Sequence, residues 1–140
     1  MGGYETNLAS EFYVLAVLYR LGADATMSLG NKKAVDITVV RSAGDVVTID
    51  VKAVADKYDW PVGKLHAGIP DRHFFALLSF EGKFSDPLTA PNVWIVPFLK
   101  VNEFIKPYAG GMNVVSRALM KRHGAAYKDS WHLIIGDQRG

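Results

Sequence analysis

Three charged side chains interrupt two apolar segments in the first half of the chain. Asp36 lies in the segment AVDITVVR, and Asp50 and Lys52 lie in DVVTIDVKAV. Segments this rich in Val, Ile and Thr predict strands, and the Ser-Ala-Gly sequence at 42–44 predicts a hairpin turn. Residues two apart on a strand share a face, so Asp50 and Lys52 lie on one face of the second strand. If the turn centres near Ala43, Asp36 lies directly opposite Asp50.

Two carboxylates that face each other across a strand pair repel, and the pair is destabilised unless a positive charge lies between them. The Lys52 ammonium supplies part of that charge, and a divalent cation would supply more. Carboxylate oxygens are ligands of the kind that Mg²⁺ binds in proteins. The spacing therefore predicts a cation site at the hairpin.

A third carboxylate, Glu11, lies in NLASEFYVLAVLYRL, which predicts a helix over 7–21. An acid in an apolar stripe is costly unless it is paired or binds a metal ion. We therefore expect Glu11 to lie close to the three charged side chains of the hairpin, on one side of the sheet. At 100° per residue, the stripe that contains Glu11 is formed by Leu8, Phe12, Leu15, Leu18 and Tyr19.

The predicted elements are a helix, three strands, a long loop, two strands and then helices, which indicates an α+β fold with a mostly antiparallel sheet covered by helices. The first helix has Thr6 or Asn7 as its N-cap and ends before Gly22. No repeat or linker divides the chain, so we expect residues 1–140 to form one domain. The other elements are strands at 24–29, 34–41, 45–54, 73–80 and 92–98, a loop at 55–72, helices at 100–106 and 114–123, and a final strand at 131–135.

Composition narrows the class of protein. Hydrophobic residues make up 49% of the 140 residues and charged residues 21%, which is typical of a globular domain. No apolar run reaches the ~20 residues of a membrane helix. The absence of Cys excludes disulfides and thiolate metal sites, and together with a start that lacks a basic signal-peptide region it favours a cytoplasmic location. The net charge of +2 permits a polyanionic partner without requiring one.

Glu11 on a helix, Asp36 on a strand and Asp50-Val51-Lys52 on the next strand resemble the signature of the PD-(D/E)xK nuclease superfamily. This superfamily includes restriction endonucleases and archaeal Holliday-junction resolvases. The resemblance implies a restriction-endonuclease-like core and a metal-dependent endonuclease that hydrolyses DNA phosphodiester bonds, with branched DNA among its candidate substrates. Val35 stands where the family has the proline of its name, and residues 55–72 do not resemble the helix that usually follows the D-x-K strand.

The same resemblance implies a role for each residue. Asp36, Asp50 and the main-chain carbonyl of Val51 would bind Mg²⁺, for which Mn²⁺ can substitute, and Glu11 would bind a second ion directly or through water. Such an ion activates its bound water and polarises the scissile phosphate. Lys52 would orient the water or assist its deprotonation, and would stabilise the transition state.

DNA is the partner that the resemblance implies, and five polar or basic residues near the hairpin are candidates to contact it. Phosphate contacts of this kind supply sequence-independent affinity. Each residue is equally consistent with an ordinary solvated loop. The candidates are Asn31, Lys32, Lys33, Lys57 and Arg72.

Self-association is a further expectation. The apolar surface of the first helix exceeds what one sheet face can cover, and the apolar segment 92–98 could form a sheet edge. A symmetric homodimer would cover such surface and place two sites on a two-stranded substrate.

Two other interpretations stay open. Asp50 and Lys52 could pair with each other on the solvated face of a two-layer sheet, where an ion pair contributes little. The fold could also bind nucleic acid without cutting it, as a catalytically inactive interaction module. The presence of all four candidate residues favours the enzyme.

Overall fold

The computed structural model describes residues 3–28, 35–107 and 111–136. In chain order its elements are the helix α1 (Gly3–Arg20), the strands β1 (Asp24–Met27), β2 (Ile37–Val40), β3 (Val46–Val54) and β4 (Trp60–Pro61), a 3-10 turn (Pro70–Arg72), the strands β5 (His73–Ser79) and β6 (Asn92–Pro97), a 3-10 helix (Phe98–Phe104), the strands β7 (Ile105–Pro107) and β8 (Asn113–Val115), the helix α2 (Arg117–His123), a 3-10 turn (Ala125–Tyr127) and the helix α3 (His132–Ile135).

The main sheet has five strands in the order β1-β2-β3-β5-β6. Each neighbouring pair is antiparallel except β3 and β5, which run parallel. The predicted α+β class with a mostly antiparallel sheet is therefore confirmed. The edge strand β6 ends at Pro97, where the absence of an N–H removes no ladder hydrogen bond.

The predicted hairpin has the expected register. Ile37 pairs with Ile49 and Val40 pairs with Val46, so the pairing continues toward Asp36 opposite Asp50. The turn closes with a hydrogen bond of 2.9 Å from the Arg41 N–H to the Asp45 carbonyl. Gly44 adopts a φ of 90° in this turn, a conformation that glycine reaches without a steric cost.

The sheet has an apolar core on each face. Residues of α1 and α3 cover one face, which carries the side chains of Ile49 and Val51 from β3. The opposite face packs against a second sheet, ordered β4-β8-β7, and against α2. All seven residues of β5 are buried, because this strand is covered on both faces. The second core includes Trp60, Phe75, Leu77, Val115 and Met120.

The first helix begins earlier than predicted and ends where predicted. It starts at Gly3, so Thr6 and Asn7 lie inside the helix and neither is an N-cap. It ends at Arg20, and Gly22 follows with a φ of 80°. The Ala23 N–H donates to the Leu18 carbonyl at 2.9 Å, which satisfies a carbonyl at the end of the helix.

The predicted apolar stripe on α1 is only partly buried. Leu18 and Glu11 of this stripe face the sheet, whereas Phe12 and Tyr19 are 51% and 59% exposed, respectively. Apolar residues occur all round this helix, and the arc that packs on the sheet is rotated from the predicted stripe. The buried arc consists of Thr6, Ser10, Glu11, Val14 and Leu18.

Other predictions near the C-terminus need correction. Residues 131–135 do not form a strand, because His132–Ile135 form α3, which buries Ile134 in the core beside α1. The predicted helix at 100–106 is a 3-10 helix followed by β7, and α2 is shorter than predicted because Val114 and Val115 belong to β8. Short apolar segments fit a strand and a buried helix equally well. Within the described ranges, no helix is long and apolar enough to cross a membrane.

Candidate functional site

Asp36 lies where the ladder between β2 and β3 ends. Its carboxylate oxygen Oδ2 accepts a hydrogen bond of 2.7 Å from the main-chain N–H of Val51. Its own N–H donates to the Ile49 carbonyl at 3.1 Å. The side-chain oxygen therefore takes the position that a main-chain carbonyl of β2 would occupy if the ladder continued. This contact holds the carboxylate against the edge of β3.

The main-chain carbonyl of Val51 faces the same edge. The N–H and C=O of one strand residue point to the same side, and those of its neighbours point to the other. Since the Val51 N–H points at Asp36, the Val51 carbonyl also faces the β2 side. The hairpin thus brings a carboxylate and a main-chain carbonyl together as oxygen donors.

Asp50 projects from the face of β3 opposite α1 and contacts a histidine on the parallel neighbour. Its oxygen Oδ2 lies 3.2 Å from Nε2 of His73. The other ring nitrogen of His73, Nδ1, lies 2.7 Å from the Thr48 hydroxyl. In the parallel register Thr48 pairs with His73, so the imidazole spans the two residues of β3 that flank Ile49.

The chemistry of these contacts determines the histidine tautomer when the ring is neutral. A carboxylate only accepts hydrogen bonds, so Nε2 of His73 must carry the proton that bonds Asp50. Nδ1 is then the acceptor, and the Thr48 hydroxyl donates to it. The ring is 2% exposed and makes edge-to-face contacts with Phe75 and Phe98. Both polar atoms of this buried ring are therefore satisfied.

Lys52 shares the face of Asp50 and is half-buried. The side chain that contacts Asp50 is His73, at 3.2 Å. Among the residues that the structure describes, Lys52 forms no ion pair with Asp50. The interpretation of Asp50 and Lys52 as a mutual surface pair therefore has no contact to support it.

Glu11 is 7% exposed and lies on α1, which covers the face of β3 that carries Ile49 and Val51. Asp50 projects from the opposite face of this strand. The predicted role of Glu11 beside the hairpin residues stays a prediction.

The donor set suits a hard cation with few protein ligands. Within residues 3–28, 35–107 and 111–136, no three His, Cys, Asp or Glu side chains form a group that could hold a metal ion. Mg²⁺ keeps several waters and binds through one or two carboxylates together with substrate phosphates. The Asp36 and Asp50 carboxylates and the Val51 carbonyl fit that pattern, whereas a site of three acids does not fit.

A cleft of about 510 Å³ opens beside Thr48 and His73, on the face that carries Asp50. One wall comes from the hairpin, and the other comes from the segment before β5. That segment supplies the cationic side chain of Arg72 and the exposed apolar side chain of Ile69, which is 52% exposed. The cleft therefore has apolar walls and carries both Arg72 and the acid Asp45, and Thr48 and His73 connect it to the neighbourhood of Asp50.

The residues predicted to contact phosphates lie at different places along the β3–β5 ladder. Arg72 is exposed and precedes β5, whereas Lys57 is exposed and follows the other end of β3. The β3–β5 ladder between 48 and 54 spans about 20 Å at about 3.3 Å per residue. Arg72 and Lys57 thus lie near opposite ends of this ladder, with Asp50 and Lys52 between them. Asn31, Lys32 and Lys33 lie outside the described residues.

His73 and Thr48 were not predicted as members of the site. The spacing of His73 from the other histidines matches no metal motif. The available signal was a polar residue at the start of the buried segment HFFALLSF. A histidine at the start of an otherwise apolar strand needs partners once the strand is buried on both faces.

Comparisons with known proteins support the fold. No protein-family model matches the sequence, and no curated protein matches it. The structure is similar to that of a bacterial homing endonuclease, I-Ssp6803I, with a TM-score of 0.57 and 14% sequence identity. The match covers 96% of this chain and 91% of the endonuclease chain. At this identity the likeness shows that the two chains share a fold.

Proposed function

We propose that this protein is a magnesium-dependent endonuclease that hydrolyses DNA phosphodiester bonds. The observation that carries the proposal is the hairpin, which sets the Asp36 carboxylate beside the Val51 peptide and places Asp50 and Lys52 on the same strand. The likeness of the fold to a homing endonuclease supports it. This is the arrangement that the PD-(D/E)xK resemblance implies for Asp36, Asp50, Val51 and Lys52.

Each residue has a task that its chemistry allows. Asp36, Asp50 and the Val51 carbonyl would hold the ion, which when bound supplies Lewis-acid chemistry to the phosphate and an activated water. The Lys52 ammonium would lie near the reacting phosphate, orient the water and stabilise the charge that develops on the phosphoryl oxygens. Glu11 stays a prediction as a ligand of a second ion, with the weakest support because α1 covers the other face.

DNA would approach the face that carries Asp50. Arg72 lines the cleft on this face, and a guanidinium binds phosphate oxygens through paired hydrogen bonds. Lys57, at the far end of the ladder, would contact the backbone of the same substrate several nucleotides away. Such contacts position a duplex or a branched DNA without reading its sequence.

The test is a cleavage panel of linear duplex, single-stranded, flapped and four-way-junction DNA, with Mg²⁺ or Mn²⁺ and with chelator. The wild type should cleave at least one substrate only when the metal ion is present. Lys52→Ala should abolish cleavage and retain Mn²⁺ binding, because the lysine is not a ligand. Full activity of Lys52→Ala would contradict the proposal.

A second function, a catalytically inactive nucleic-acid-binding module, has two observations in its favour. The described residues bring no three potential ligands together, and Asp50 leans toward His73 on β5. Titration with Mn²⁺ separates the two functions. Binding of DNA without binding of Mn²⁺ would favour the module.

We also propose that the protein acts as a homodimer. Tyr4, Phe12 and Tyr19 are 74%, 51% and 59% exposed on α1, and their spacing places them on one side of the helix. Three exposed aromatic side chains in one stripe form an apolar patch of the kind that association covers. Sedimentation of the wild type should show a dimer at micromolar concentration, and Phe12→Glu should shift it to monomer. A monomeric wild type would contradict this proposal.

A further inference from the structure

We infer that His73 is a positioning residue that holds the Asp50 carboxylate in the orientation needed to bind a divalent cation. This inference rests on the proposed function and adds a residue to it. The contact that carries it is the hydrogen bond of 3.2 Å from Nε2 of His73 to Oδ2 of Asp50.

The imidazole is held by more than this one contact. The Thr48 hydroxyl lies 2.7 Å from Nδ1, and the rings of Phe75 and Phe98 lie 5.5 and 5.7 Å from it, centroid to centroid. Burial among aromatic rings and the contact with the Thr48 hydroxyl restrict the ring to one orientation. The donor that Asp50 meets is therefore fixed in place.

The contact leaves Asp50 able to bind a cation. It uses Oδ2, and among the described residues no donor contacts Oδ1. A carboxylate ligand that is hydrogen-bonded through one oxygen and coordinates through the other is a common arrangement in metal sites. Removal of a hydrogen-bonding partner of a metal ligand typically lowers metal affinity by roughly 10- to 100-fold.

A purely structural role predicts something different. If His73 only filled space between Phe75 and Phe98, an apolar side chain of similar size would serve the fold as well or better. Burial of an imidazole requires partners for two polar atoms, and the structure directs one of them at a carboxylate that resembles a metal ligand. The structural role therefore predicts that metal affinity is independent of the donor at Nε2.

The test is titration of the full chain with Mn²⁺, with the unbound ion measured by electron paramagnetic resonance. His73→Leu removes the donor and keeps apolar volume, whereas His73→Gln keeps a donor near the position of Nε2. We expect Mn²⁺ affinity to fall at least about tenfold in His73→Leu and to stay within about threefold of wild type in His73→Gln. Equal affinities of His73→Leu and the wild type would overturn the inference, and so would equal losses in both variants.

Thr48→Val supplies a second arm if His73→Leu does not fold. Loss of the hydroxyl removes the contact that anchors Nδ1 of His73, so Mn²⁺ affinity should fall about threefold or more, and an unchanged affinity contradicts the inference. Asp50→Asn separates this inference from the proposed function. If Asp50→Asn binds Mn²⁺ like the wild type, the proposed site itself is wrong. If only Asp50→Asn loses binding, the site stands and the role of His73 does not.

Discussion

Two half-buried carboxylates near β5 are held in different ways. Glu81, in the turn after β5, receives hydrogen bonds from Arg117 and, at 2.8 Å, from Asn92, and the Lys121 ammonium lies 3.7 Å away. Asp50, beside the start of β5, has one partner among the described residues, the imidazole of His73. Glu81 is therefore saturated with donors from two other elements, whereas Asp50 keeps capacity for a further cation.

The donors and charges around Glu81 lower the pKa of its carboxyl. Burial alone would raise the pKa of this carboxyl, but the hydrogen bonds from Arg117 and Asn92 and the charges of Arg117 and Lys121 outweigh burial and lower the pKa below its ordinary value of 4.5. The cluster ties the turn after β5 to β6 and α2. An acid whose oxygens are all used in this way serves the fold, whereas an acid held by one donor can also bind a ligand.

The largest expected effect is on DNA cleavage, which should depend on Asp50 and not on Glu81. Asp50→Asn should lower metal-dependent DNA cleavage at least about a hundredfold, because it removes a ligand charge. Its melting temperature should stay the same or rise, since one of two facing carboxylates is neutralised. Glu81→Gln should cleave at the wild-type rate per folded molecule. Single-turnover cleavage and thermal melts check these expectations. A large loss of cleavage in Glu81→Gln would contradict the assignment of Glu81 to the fold alone.

The next effect is on the free energy of unfolding and concerns the donors that hold Glu81. Arg117→Met should lower the free energy of unfolding by about 2 kcal/mol, because it leaves the Glu81 carboxylate short of its strongest donor. For a chain of this size that corresponds to a fall in Tm of about 6 °C. The matched control is Lys100→Ala, which breaks an exposed pair with Glu103 at 3.8 Å and should cost less than about 1 kcal/mol. Equal losses in the two variants would show that the Arg117 contact is an ordinary surface pair.

A smaller effect follows from the lowered pKa of Glu81. The contribution of its carboxylate to stability is fully present above the unfolded pKa near 4.5 and is lost as the pH falls through the lower folded pKa. Glu81→Gln cannot titrate, so the stability difference between wild type and variant should shrink below pH 4.5. Denaturant unfolding at a series of pH values checks this. A difference that stays constant with pH would be evidence against the assigned cause.

The smallest expected effect on stability is that of removing the Lys52 side chain. Lys52→Ala should change the free energy of unfolding by less than about 1 kcal/mol, because the ammonium makes no ion pair within the part of the chain that the structure describes. The same variant should lose cleavage. Denaturant unfolding measures the first quantity, and a loss of stability well above 1 kcal/mol would give Lys52 a structural role.

Local sequence predicted the hairpin well. The register of β2 and β3 follows from a short turn at 41–45 and from the alternation of apolar side chains, both of which are local. The order of α1, the five strands of the main sheet and the end of β6 at Pro97 were also predicted, whereas the three short strands of the second sheet were not. The predictions of Asp36, Asp50 and Lys52 as neighbours depend on this local geometry.

Features that depend on distant contacts were not predicted. The parallel register that sets His73 beside Thr48 is determined by packing on both faces of β5, which no local pattern encodes. The buried arc of α1 was only partly predicted, because this helix carries apolar side chains on most of its surface and periodicity alone does not identify the arc that the sheet buries. The burial of Glu11 on this helix was expected from the sequence.

The order in which these contacts form during folding follows from their separation along the chain. The hairpin of β2 and β3 joins neighbouring segments, whereas each pair of the β3–β5 ladder joins residues 25 positions apart, with 55–72 as the intervening loop. Non-local pairs form slowly, because the entropy of closing the loop is lost before the contacts compensate for it. Asp36 therefore meets the Val51 peptide within an early, local structure, and Asp50 meets His73 only when the parallel ladder closes. We expect full metal affinity to be acquired in that slower, non-local step of folding.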